Sequence, residues 1–95
     1  MRLIISQQVL KKITEKHRVS RTEVEQCFEN REGGLLRDTR EEHQTEPPTL
    51  WFLADTDSCR RLKVVYVQRG ELVFLKTSYD ANEEEKEIYK EKFGI

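Results

Sequence analysis

The chain has 95 residues and a formal net charge of −1, with 37% charged and 36% hydrophobic residues. This length predicts one domain, residues 1–95, with a modest core and no room for a separate cofactor domain. The near-neutral charge argues against a uniformly basic coat for nucleic acid. Two cysteines do not make a disulfide framework, and the apolar runs are too short for a signal sequence or a membrane span. A cytoplasmic protein with reduced thiols is therefore expected.

The first third of the chain predicts two helices. Met1–Ile5 is either a short edge strand or an apolar lead-in. Ser6 is a plausible N-cap, and apolar residues at near-helical spacing predict a first helix over about 7–17. Ser20 followed by Glu23 is a capping-box signature that begins a second helix, which the next Gly-Gly pair ends.

The chain then changes to strand-like patterning. A short extended piece at 35–38 and a polar loop at 39–48 precede Thr49–Ala54, which is apolar on both alternating faces. This pattern predicts an inner strand covered on both sides. Trp51 and Phe52, within it, are expected in the core.

Two β-branched and aromatic runs joined at Gly70 predict a hairpin over 60–79. A two-residue Arg69-Gly70 turn would need positive φ at Arg69, so a type I turn at Gln68-Arg69 with Gly70 left-handed is preferred. That register groups seven residues on one face: Lys63, Val65, Val67, Val73, Leu75, Thr77 and Tyr79. The sequence leaves open which face the helices cover.

The last segment predicts a helix that Asp80 or Asn82 caps and that runs to about Phe93. Its early glutamates lie at the favourable end of the helix dipole. The expected fold class is therefore α+β, with two N-terminal helices, a four-stranded mostly antiparallel sheet and a C-terminal helix.

Charge is unevenly distributed along the chain. Residues 58–79 hold five basic residues and one acid, whereas residues 80–95 hold six acids and three bases. Like charges on neighbouring strands are destabilising unless an anion lies between them. The open end of the hairpin is therefore a candidate phosphate- or RNA-binding site, and the alternative is a solvated strand end with long side chains over apolar surface. The residues expected there are Arg60, Arg61, Lys63, Lys76, Thr77 and Tyr79.

The sequence resembles the BrnT-like branch of the RelE-type toxins of bacterial toxin–antitoxin pairs. The motifs that carry the resemblance are Glu15-Lys16-His17 then Val19-Ser20, Asp38 and Arg40, Arg61-Leu62-Lys63-Val64-Val65-Tyr66, and Ile88-Tyr89. The resemblance implies a small α+β fold, ribonuclease activity and an antitoxin partner. The family's Ser-Ala-Arg strand end stands here as Thr77-Ser78-Tyr79, so the catalytic arginine expected there is missing.

Metal-independent RNA cleavage needs cations that neutralise the phosphorane. Guanidinium groups suit this task because they make forked contacts with phosphate oxygens. Arg61 and Lys63 are candidates, with Lys76 beside them. Arg40 could join from the polar loop, although a surface salt bridge with a neighbouring acid is the alternative. Arg60 and Thr77 complete the predicted phosphate-binding set.

The same reaction needs a general acid and a general base. His17, His43 and Tyr79 are the candidates, since histidine titrates near neutral pH. The alternatives are a helix-end role for His17, solvent exposure for His43 and simple packing for Tyr79. The scattered Cys and His residues lack zinc spacing, so neither a metal nor a cofactor is expected.

Two hypotheses from different classes follow. The first is an RNA-binding toxin homologue, and a metal-independent ribonuclease, with an antitoxin partner and no membrane contact. The second is a non-catalytic α+β interaction module that retains the fold, and the tyrosine at position 79 favours it.

Overall fold

The computed structural model describes residues 1–39 and 46–95. These residues form three helices and one five-stranded sheet, which confirms the α+β class. The sheet has one strand more than the four expected. No described helix is long and apolar enough to cross a membrane. The elements are β1 (Arg2–Ile4), α1 (Gln7–Glu15), α2 (Arg21–Asn30), β2 (Leu36–Arg37), β3 (Thr49–Asp55), β4 (Arg61–Arg69), β5 (Leu72–Asp80) and α3 (Glu83–Phe93).

The strand order in the sheet is β1-β5-β4-β3-β2. The first strand lies parallel to β5, and the other neighbouring pairs are antiparallel, so the sheet is mixed. Of the two alternatives for the N-terminal segment, the edge strand is therefore correct. β1 and its partner β5 are about 70 residues apart in the chain, so local sequence patterns do not reveal this parallel pairing.

Capping residues set the helix boundaries. The Ser20 hydroxyl and the Asn82 amide oxygen each accept a hydrogen bond from the backbone N–H of the third helical residue. That residue is a glutamate in both helices, and its carboxylate accepts from the backbone N–H of the cap. Asn82, not Asp80, is thus the cap of α3. The first helix ends two residues earlier than expected, at Glu15, and Arg18 in the following turn has a φ of 55°.

The hairpin loop differs from both turns considered. Arg69 pairs with Leu72, which leaves a two-residue Gly70-Glu71 loop. Gly70 has a φ of 60°, and glycine at the first loop position is what type II′ turns require. This loop shifts the positive φ onto the residue that tolerates it.

A β-bulge between the hairpin strands corrects the predicted face. Val65 lies opposite Thr77, but Tyr66 lies opposite Leu75, so Lys76 is the extra residue. The predicted single face is wrong because the bulge moves Val73 and Leu75 to the other side. The face defined by Lys63 and Tyr79 continues instead through two further opposed pairs: Val65 with Thr77, and Val67 with Phe74.

Both faces of the sheet are covered by helices. Phe28 of α2 packs edge-on against Phe52 and Tyr66, while Tyr89 of α3 packs near Trp51 on the opposite face. Trp51 and Phe52 are buried, as expected for an inner strand covered on both sides. The domain therefore has three layers, with α3 positioned over the end of the sheet where β4 begins and β5 ends.

Candidate functional site at the open end of the hairpin

The open end of the hairpin comprises residues 60–63 of the first long strand and its approach, and 77–80 of the second. Strand pairing places Lys63 opposite Tyr79 and Leu62 opposite Asp80. Five of the eight predicted site residues lie here: Arg60, Arg61, Lys63, Thr77 and Tyr79. All of them except Thr77 form a side-chain hydrogen bond within the chain.

Arg60 is engaged by two carboxylates and two backbone carbonyls. Its Nε and Nη2 donate to the Asp80 carboxylate at 2.8 and 2.9 Å, and Nη1 donates to Glu23 at 3.2 Å. Nη1 also donates to the carbonyl of Arg18 at 2.7 Å, and Nη2 to that of His17 at 3.0 Å. The hydrogen bonds from Arg60 lower the pKa of Asp80 below its ordinary value. Arg60 thus ties the turn after α1 to the start of α2 and the end of β5.

Arg61 forms a simpler ion pair. Its Nε donates to Asp55 Oδ1 at 2.8 Å, across the β3–β4 pairing. The hydrogen bond to Asp55 raises the pKa of the Arg61 guanidinium further above its already high value. Both side chains remain about one-third or more exposed, so the pair is held at the surface. Its charge is already balanced before any ligand arrives.

Lys63 and Glu85 form the most enclosed ion pair of the open end. Lys63 Nζ donates to Glu85 Oε2 at 2.8 Å, and the two side chains are only 10% and 12% exposed. The ammonium also lies 4.6 Å from the centroid of the Trp51 ring, a cation–π distance. Burial raises the pKa of Glu85, but the hydrogen bonds from Lys63 and the Asn82 N–H and the Lys63 charge outweigh it, so the pKa lies below its ordinary value.

Tyr79 and His17 complete this cluster. The Tyr79 hydroxyl donates to Glu85 Oε2 at 3.0 Å, and its ring centroid lies 5.4 Å from that of His17. Burial raises the pKa of Tyr79 above its ordinary value, although the Lys63 charge opposes the shift. Burial and the charges of Lys16 and Lys12 lower the pKa of His17. At neutral pH the cluster therefore holds an ionised Glu85 and a protonated Tyr79 hydroxyl.

The remaining predicted residues do not join this cluster. Lys76 is exposed at the bulge and has no carboxylate partner within residues 1–39 and 46–95. Thr77 Oγ1 is the one buried side-chain oxygen or nitrogen of the described residues without a hydrogen-bond partner. Arg40 and His43 lie outside the described residues.

Sequence reasoning missed the acids that neutralise the basic residues. The sequence pattern indicates Glu85 only as part of a favourable helix start and Glu23 only as a capping residue. Both do cap their helices, yet each also binds a hairpin cation. A signal was present for Glu85, because the third residue of a helix that directly follows a strand lies close to that strand's end. No comparable signal marks Glu23, which is 37 residues from Arg60 in the chain.

The arrangement limits the chemistry that the open end can perform as it stands. Arg60, Arg61 and Lys63 each form an ion pair with at least one carboxylate of the same chain. An added phosphate would have to displace a carboxylate or share its donors. No group of three or more His, Cys, Asp or Glu side chains suited to a metal ion is found in the described part of the chain.

A scan against protein-family models found no family that matches this chain, and a search of curated proteins found none with significant similarity. The resemblance to BrnT-like toxins therefore remains a prediction from the sequence motifs.

Proposed function

We propose that this chain is a non-catalytic homologue of the BrnT/RelE-like toxins. In this role it is a cytoplasmic α+β interaction module that binds a partner and does not cleave RNA. The α+β fold is the one that the resemblance implies. The observation that carries the proposal is the internal neutralisation of the three cations at the open end.

Ribonuclease chemistry without a metal depends on cations that meet the developing phosphorane charge. Here Arg60 has all its guanidinium nitrogens engaged, and Arg61 is held by Asp55. Tyr79 stands where the family has an arginine, and its hydroxyl is directed to Glu85. Among the described residues of the open end, no cation is therefore free to meet the charge that the reaction develops.

Inducible expression in a bacterial host tests the proposal. We expect cells that produce the wild type to grow as uninduced cells do, with intact ribosomal and messenger RNA. Arg61→Ala and Tyr79→Phe serve as comparison variants, since both remove a polar group while leaving the sheet core in place. Growth arrest with RNA degradation by the wild type, relieved in either variant, would contradict a non-catalytic role.

A second candidate function, metal-independent ribonuclease activity, is favoured by one observation. Lys63, Glu85 and Tyr79 share a hydrogen-bonded cluster beside His17, and such groups of titratable side chains are frequent at active sites. In this role Glu85 would take the 2′-hydroxyl proton, Lys63 would neutralise the phosphorane and Tyr79 would protonate the leaving oxygen.

Purified protein incubated with RNA in the presence of EDTA distinguishes the two candidates. Cleavage by the wild type and its loss in Tyr79→Phe would establish the ribonuclease. RNA that stays intact at high protein concentration supports the non-catalytic role. A small neighbouring reading frame whose product co-purifies with the chain would identify the antitoxin-like partner that the resemblance implies.

A further inference from the structure

Away from the open end, two cations flank an aromatic side chain on the turn half of the hairpin. Arg69 and Lys76 line a cleft of about 290 Å³ together with three apolar residues, Pro47, Val67 and Phe74. Glu46 also lines this cleft. We propose that this cleft, called the turn-end cleft below, binds single-stranded RNA, with a base against Phe74 and phosphates at Arg69 and Lys76. The inference rests on the binding role proposed above and names its ligand class.

The backbone explains why the cleft residues share one side of the sheet. Val67 lies directly opposite Phe74 in the β4–β5 register, and Arg69 follows Val67 by two residues on the same face. Lys76 is the extra residue of the bulge, and a bulge changes the direction of the side chain that it carries. The two cations therefore flank Phe74 from separate strands.

Charge distinguishes this cleft from the open end. Within residues 1–39 and 46–95, neither Arg69 nor Lys76 forms an ion pair, and both side chains are exposed. Among the described residues that line the cleft, Glu46 is the one acid against these two cations, so this lining carries a net positive charge. Arg60, Arg61 and Lys63 at the open end are neutralised, whereas Arg69 and the predicted site residue Lys76 have no ion pair within the described residues.

Phe74 supplies the second requirement for single-stranded nucleic acid. Its ring is partly exposed, and none of the aromatic pairs of the described residues includes it. An aromatic ring beside cations is the usual platform for an unpaired base, because stacking accepts any base while the cations contact the backbone. The cleft volume is near the lower limit of ligand pockets, which suits one base with its phosphates outside.

Fluorescence anisotropy with a labelled single-stranded oligouridylate at several KCl concentrations tests the proposal. We expect Arg69→Ala/Lys76→Ala to weaken binding and to reduce the slope of log K against log salt by about 1.4, since each single-strand phosphate contact contributes about 0.7. Lys11→Ala/Lys92→Ala removes the same charge from two helices and should leave the slope unchanged. Arg61→Ala should also bind as the wild type does.

The aromatic contribution is tested separately. Phe74→Leu should weaken binding at least about fivefold, the lower limit for loss of one stacked base, whereas Phe74→Trp should retain it. Circular dichroism of each variant shows whether it is folded, and Phe74→Trp keeps the test informative if the leucine variant is unstable.

Three results would overturn the inference: no RNA binding at low salt, an equal loss in the Lys11→Ala/Lys92→Ala control, or a polyglutamate peptide that displaces the RNA and binds the cleft as tightly. Unbound but intact RNA would remove this inference and leave the non-catalytic role standing. Cleaved RNA would instead remove the non-catalytic role.

Discussion

Replacing Glu85 by Gln tests whether the enclosed Lys63 ammonium depends on its carboxylate. Glutamine has one amide oxygen, which can still accept from the Asn82 N–H, as Gln does in capping boxes. The second carboxylate oxygen, which accepts from the Tyr79 hydroxyl and from Lys63, is replaced by an NH2 donor, and the negative charge is removed. Removal of one partner from a buried ion pair costs about 3–5 kcal/mol, because the other charge is left unpaired. With side chains 10% and 12% exposed, we expect the lower value, about 3 kcal/mol.

Urea denaturation followed by circular dichroism measures this change in the free energy of unfolding. For a domain of this size the expected fall in Tm is roughly 12–24 °C. Lys63→Met combined with Glu85→Gln removes both charges and should be more stable than Glu85→Gln alone. Glu87→Gln, an exposed change on the same helix, should stay within about 0.5 kcal/mol of the wild type.

The reasoning fails if Glu85→Gln costs less than about 1 kcal/mol, the range of surface ion pairs. It also fails if the double variant with Lys63→Met is as unstable as the single one. Either result would mean that water, and not the carboxylate, stabilises the ammonium over the Trp51 ring.

Three further predictions concern packing, pH and the guanidinium contacts. Gly33→Ala should cost about 1–3 kcal/mol, because its Cβ would lie 2.7 Å from Cε2 of the buried Tyr89 ring; an unchanged urea midpoint would contradict this. The Glu85 carboxylate has a lower pKa in the folded protein than its ordinary value of about 4.5. It therefore stabilises the protein at pH values above about 4.5, and this contribution is lost as the pH falls through the lowered pKa. The destabilisation by Glu85→Gln should therefore shrink in acid, and a constant difference across a pH series would refute it. Arg60→Ala should cost roughly 2 kcal/mol and Arg61→Ala under about 1 kcal/mol, since only Arg60 joins four groups; equal denaturation midpoints would contradict this.

The sequence by itself determined the local elements of this protein. Ser20 starts α2 because Glu23, which completes its capping box, lies three positions away, whereas the sequence limited the cap of α3 to Asp80 or Asn82. The unbroken apolar run at 49–54 identified a strand covered on both faces, because a strand buried on both faces needs no polar alternation. These features follow from interactions between near neighbours, which the order of residues records directly.

The tertiary structure alone decided the chemistry of the candidate site. The carboxylate partners of Arg60 and Lys63 lie 20 to 37 residues away in the chain, so local sequence does not reveal that these charges are neutralised. The extra residue at Lys76 arises from a mismatch between two strands, and it changes which side chains share a face. Whether a basic residue is free to bind a ligand depends on which acid the fold brings within about 3 Å of it, the distance of a charge-assisted hydrogen bond. That proximity is set by the packing of whole elements and not by any local pattern.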